Sequence, residues 1–142
     1  GIASGEAMLA AMALGAEGIQ AGTLFALTEE SSASEEFKKR CTELAEGDTM
    51  LCLKKIAPTR LIKNALYTKL AEAEDKGATA DELREILGRA ASKRGIFEGD
   101  MESGELEIGQ IASAIKTIKP VSEVMKELIS GFEKAKERVA LL

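Results

Sequence analysis

The chain has 142 residues, the length of one domain, with a net charge of −5 and an isoelectric point near 5.0. That balance, with no basic stripe, argues against a nucleic-acid partner, and no apolar run nears the ~20 residues of a membrane-spanning helix. Histidine is absent, which excludes Ser-His-Asp and Cys-His arrangements and His-based metal sites within these residues.

The first twenty-five residues organise the rest. Gly1-Ile2-Ala3-Ser4-Gly5 reads as a loop with two glycines free to take positive φ. Ser4 is placed to N-cap a helix, with Glu6 at its positive end. Ala7 to Leu14 are strong helix formers, and Gly15 is a natural stop. Gly18-Ile19-Gln20-Ala21 is short, apolar and followed by Gly22-Thr23, the pattern of a buried parallel strand ending at a turn. Two such turns, one helix apart, predict a pocket of N–H groups suited to a phosphate. Gln20, if buried on that strand, needs a hydrogen-bond partner. Thr23-Leu24-Phe25-Ala26-Leu27 then leaves the turn as a short helix, with the Thr23 hydroxyl as a further donor.

Ser34 caps the next helix, whose apolar positions are Phe37, Cys41, Leu44 and Ala45. Glu46-Gly47-Asp48 ends it, and Thr49 to Leu53 is β-compatible. Pro58-Thr59-Arg60 opens a segment running through Leu61 to Tyr67. From Ala65 to Lys76 the spacing is helical, with Leu66, Leu70 and Ala73 on one stripe, and Gly77 stops it. Thr79 is an N-cap with Asp81 and Glu82 in the first turn. Gly95 to Gly104 carries turn residues, and Gly109 to Ile115 reads as the core-facing part of a helix. Pro120 is expected at the first position of the last helix. Val121, Val124, Met125, Leu128, Ile129 and Phe132 form its apolar stripe.

Cys41 and Cys52 stand alone without metal-ligand spacing, and with no secretory pattern read within these residues both are expected to be reduced thiols of a cytoplasmic protein. The carboxylate pairs Glu29-Glu30, Glu35-Glu36 and Asp81-Glu82 are adjacent, so each pair diverges on a helix and makes no acid–base dyad. No catalytic residue and no metal ligand is assigned within the chain.

The pattern G-I-A-S-G, followed by A-L-G-A-E-G-I-Q-A-G-T, resembles the last βαβ unit of a family of flavin-dependent TIM barrels. These are the nitronate monooxygenases and the enoyl-acyl-carrier-protein reductases II. Their loop is usually G-G-I-A-D-G and their second turn Q-M-G-T or Q-V-G-T, and both hold the FMN phosphate after strands seven and eight, a recurrent phosphate position on that fold. Carried onto this sequence, the cofactor-binding positions are Gly1, Gln20, Ala21, Gly22 and Thr23. Ser4 replaces the usual Asp, and the first glycine of the pair is missing, so the chain is expected to begin inside the motif as a fragment. A second block resembles the family's R-x-I/L-K-N at Arg60 to Asn64. A third, GDMESGELEIGQIASAI, resembles its G-D-x-x-x-G-x-x-x-x-G-Q-I-A segment, which is followed by an acidic helix like Ser122 to Arg138.

The fold this resemblance implies is α/β: the C-terminal fragment of a TIM (β/α)8 barrel, holding its last βαβ unit, plus a mostly helical C-terminal extension. The division is 1–57 for the end of the flavin-binding barrel and 58–142 for the extension. The implied activity is FMN-dependent oxidation–reduction. Foremost is NAD(P)H-dependent enoyl-thioester reduction in fatty acid synthesis; the alternative is oxidation of nitronates by dioxygen. The family's histidine base lies in an N-terminal half absent here. The expected partners are that missing half and an acyl thioester or nitronate. A third expectation is an inert helical fragment, or one that associates with itself.

Overall fold

The computed structural model describes residues 1–141. Helix α1, Gly5–Ala13, starts where the sequence places it, with Ser4 Oγ accepting from the Ala7 amide at 3.2 Å. It packs along α6, Val121–Val139. The two backbones meet at Gly5 and Gly131, where a Cβ on Gly5 would lie 1.9 Å from the Phe132 nitrogen. Gly5 shows no positive φ: it is glycine because two helices touch there, not because the loop turns. Pro120 is the N-cap of α6 rather than its first residue, and lacks a capping side chain. The Glu30 carboxylate, from a distant loop, accepts from the Val121 amide instead.

Helix α2 is Gly22–Ala26 and α3 is Glu35–Thr42, with Ser34 Oγ accepting from Phe37 N. Strands β1, Thr49–Cys52, and β2, Thr59–Ile62, pair antiparallel with Thr49 opposite Ile62. Helix α4, Ala65–Asp75, is capped by Asn64, and α5, Ala80–Leu87, by a reciprocal Thr79–Glu82 capping box. A π-helical turn, Lys93–Phe97, and a 3-10 turn, Gln110–Ala114, complete the elements.

The strand expected at Gly18–Ala21 is absent. These residues are irregular, and Gly18 and Gln20 are exposed. A ladder needs a neighbour, and no strand lies beside them among the described residues. Glu105 to Ile108, in contrast, lies along β2. Ile62 N donates to Leu106 O at 2.9 Å, Ile108 N to Arg60 O at 3.2 Å, and Leu61 bridges Glu107.

Two apolar cores result. One joins Leu27, Phe37, Cys41, Leu44, Ile62, Leu106, Ile108 and Ala112; the other joins Cys52, Leu53, Leu61, Leu66, Leu70, Leu83 and Ala91. The boundary expected after residue 57 falls between β1 and β2, and both cores take residues from each side of it.

Candidate functional site

The site is built where three distant stretches meet. Thr23, in the first turn of α2, accepts at Oγ1 from the Gly109 amide at 3.1 Å. Gly109 follows Ile108, which is tied to Arg60 of β2. Asn64, two residues beyond β2, holds the third stretch from its other side: its Nδ2 donates to Met101 O at 3.0 Å and Gly104 O at 2.9 Å. The cleft so formed has a volume of about 390 Å³ and is lined by Gly22, Thr23, Ala26, Arg60, Glu107, Ile108 and Gly109.

Its donors fit an anion. Helix α2 has no side-chain cap, and the amides of Gly22, Thr23 and Leu24 have no acceptor among the described residues. Unpaired first-turn amides carry partial positive charge. Gly22 adopts no positive φ, and no atom lies within 4 Å of where its Cβ would be. Nothing among the described residues calls for glycine there; the missing side chain leaves the amides open to a ligand. Thr23 accepts from Gly109, so its own hydroxyl proton is free to be donated. Arg60, one of the lining residues, has its guanidinium braced by Thr49: Nη1 donates to Thr49 O at 3.1 Å and to Thr49 Oγ1 at 3.3 Å. A braced cation beside open amides attracts a phosphate or carboxylate.

The expected site residues separate. Gly22 and Thr23 line this cleft. Ala21 is the N-cap residue of α2 and lies next to it. Gln20 is exposed rather than buried on a strand, so it needs no protein partner. Gly1 lies elsewhere: a Cβ on it would be 3.0 Å from Ile111 Cγ2, and it lines a different cleft with Glu46, Gln110 and Ser113. The two turns thus sit at successive points along the Gly109–Ala114 segment. In the first turn the Ser4 hydroxyl accepts from the Ala7 amide, and the second glycine packs against Gly131.

Arg60 and Gly109 are the cleft residues that spacing alone does not assign. Their signal is joint: Arg60 begins the second block, and Gly109 opens G-Q-I-A in the third. Gln110, in contrast, is exposed and outside this cleft. Among the described residues no cluster of side chains has metal-binding composition, and no helix is long and apolar enough to cross a membrane.

Comparison with known proteins is consistent over nearly the whole chain. The family model for nitronate monooxygenase matches residues 1–131. A probable nitronate monooxygenase of Staphylococcus saprophyticus is 33% identical over 99 residues, 67% of this chain and 28% of that protein. One from Staphylococcus aureus is 30% identical over 134 residues, 92% of this chain and 36% of the relative. Among solved structures, FabK from Thermotoga maritima superposes with a TM-score of 0.89 at 31% identity, covering 98% of this chain and 44% of that one. The nitroalkane oxidase of Streptomyces ansochromogenes gives 0.77 at 25% identity, covering 97% and 39%. The chain therefore spans less than half the length of these relatives.

Proposed function

The chain belongs to the nitronate monooxygenase family, and from that premise we propose that it is the C-terminal part of an FMN-dependent oxidoreductase with a TIM barrel. Its task in that protein is to hold the phosphate end of the flavin. The supporting observation is the convergence of the three family-like blocks on one cleft, through Thr23, Arg60 and Gly109. The donor set suits a phosphate dianion: open amides at Gly22 and Thr23, the Thr23 hydroxyl and the Arg60 guanidinium. Ala21, the N-cap of α2, and Gln20 before it adjoin this cleft in sequence, whereas Gly1 lines a separate one with Gln110.

FMN, when bound, carries the electrons between substrate and reductant or oxidant. The residues of this chain bind and orient. Gly22 keeps the approach clear, Thr23 donates a hydroxyl proton as a hydrogen bond, and Arg60 balances charge. The base that moves the substrate proton is outside these residues, which hold no histidine.

The leading reading of the reaction is NAD(P)H-dependent reduction of an enoyl thioester, the chemistry of FabK as an enoyl reductase. It is favoured by the closer superposition on FabK, 0.89 against 0.77. The second reading, nitronate oxidation by dioxygen, is favoured by the family model and the staphylococcal relatives. The test uses the full-length protein containing this chain, purified with its flavin. Oxidation of NADH or NADPH dependent on crotonyl thioester supports the reductase. Dioxygen uptake with alkyl nitronates, indifferent to nicotinamide, supports the monooxygenase. A full-length protein that binds no flavin overturns both.

A further inference from the structure

We propose that Gly109 is a positioning residue for the cofactor phosphate, acting through the hydroxyl of Thr23. This rests on the reading that the cleft takes the phosphate of FMN.

The two residues are 86 positions apart, yet the Gly109 amide donates to Thr23 Oγ1 at 3.1 Å. Gly109 has φ −70° and ψ 153°, a conformation open to any residue. Its backbone therefore does not require glycine. The space around it does: a Cβ would lie 2.5 Å from Thr23 Oγ1 and 3.6 Å from Thr23 Cβ. A methyl group at 109 would drive the hydroxyl off its position while leaving the rest of Thr23 in ordinary contact.

The same hydrogen bond orients the hydroxyl. One lone pair of Oγ1 is used by the Gly109 amide, so the O–H must point away from it. No acceptor for that proton exists among the described residues, and both residues line the cleft. The Gly109 amide is itself held in register, because Ile108 N donates to Arg60 O one residue earlier. The third block thus fixes the direction in which Thr23 donates, and fixes it relative to Arg60. A hydroxyl so aimed serves an anionic oxygen. In FMN that oxygen belongs to the phosphate, which riboflavin lacks.

Comparing these two flavins tests the idea. The full-length protein is stripped of flavin and titrated with FMN and with riboflavin, following flavin fluorescence. Thr23→Ala and Gly109→Ala are each expected to weaken FMN about tenfold, the order of one charge-assisted hydrogen bond, and to leave riboflavin affinity unchanged. The double variant is expected to bind FMN no more weakly than Thr23→Ala, because the two residues act as one unit. It also lacks the Oγ1 clash, so it reports even if Gly109→Ala alone fails to fold. Equal weakening of FMN and riboflavin by Gly109→Ala, or additive losses in the double variant, overturns the proposal. Weakening by Thr23→Ala but not by Gly109→Ala also overturns it, while leaving the phosphate reading intact. An unsubstituted protein that binds riboflavin as tightly as FMN defeats the phosphate reading itself.

Discussion

Gly5 and Gly131 face each other across α1 and α6, but their burdens differ. A Cβ on Gly5 would meet Phe132 N at 1.9 Å and Gly131 C at 2.2 Å, both backbone atoms that move only if the helices part. A Cβ on Gly131 would lie 3.4 Å from Gly5, ordinary contact, and alanine is a better helix former. Gly5→Ala is therefore expected to destabilise by about 3 kcal/mol, lowering the melting temperature on the order of 10 °C, and Gly131→Ala to be neutral or stabilising. Equal melting temperatures for the two would refute this packing account. The thiols set a second expectation. Burial pushes Cys41 up to about 12 and Cys52, beside Glu74, up to about 11. Both are fully buried, so alkylation by iodoacetamide at pH 8 should need prior unfolding. A raised thiol pKa means the folded chain keeps a proton that the unfolded chain releases. That stabilisation is complete below pH 9 and is lost as pH rises toward 11 to 12. The urea midpoint should fall across that window, and fall less steeply in a Cys41→Ala variant.

At the scale of elements, Asn64 joins three parts of the chain. Its Oδ1 accepts from Tyr67 N to cap α4, and its Nδ2 donates to two carbonyls of the Met101–Gly104 turn. Asn64→Ala loses the cap and both donors, a cost of about 2–3 kcal/mol. Asn64→Asp keeps the cap but sets a carboxylate against two carbonyl oxygens. It is expected to be at least as unstable as alanine in urea denaturation at pH 7, and to recover as the pH is lowered to protonate it. The pattern of these elements explains what could be read ahead of the structure. Ser34, Asn64 and Thr79 sit just before helical runs, and local hydrogen bonding fixes those boundaries; of these, Ser34 and Thr79 were legible as caps. The alignment of Glu105–Ile108 with β2 was not legible. It depends on pairing between residues far apart in the chain, Arg60–Ile62 with Leu106–Ile108. Nor was the loss of the strand at Gly18–Ala21, whose apolar pattern describes a pairing that these residues do not supply. The cleft was half legible: Gly22 and Thr23 carry a turn signature, whereas Arg60 and Gly109 reach it only through β2 pairing.

At the scale of the whole molecule, the apolar surface is larger than the interior uses. Helix α1 is nearly all Ala, Met and Leu, yet it packs chiefly against one helix, α6. Leu14 is 91% exposed and Leu141 is 88% exposed. Beside them runs a groove between α1 and α6 with Leu9, Ala10, Ala13, Ala135 and Val139 along it and Glu6, Lys136 and Arg138 among its lining. A helix apolar on every side is ordinarily buried on every side. Gly18–Ala21 adds backbone groups with no ladder partner, and such edges recruit other chains. In the full-length enzyme proposed above, the remainder of the barrel would cover both. Residues 1–142 expressed alone have two ways to cover them, a second copy or collapse. The expectation is self-association in sedimentation velocity that rises with concentration, together with no measurable FMN binding, because on the proposed reading Gly22, Thr23 and Arg60 supply only part of the site. Replacing Leu14 with glutamate should shift the population toward monomer without disturbing helix content, since Leu14 follows the last turn of α1, exposed and away from the Gly5 crossing. A monodisperse monomer that retains FMN would show that this surface is tolerated and that the cleft is complete by itself.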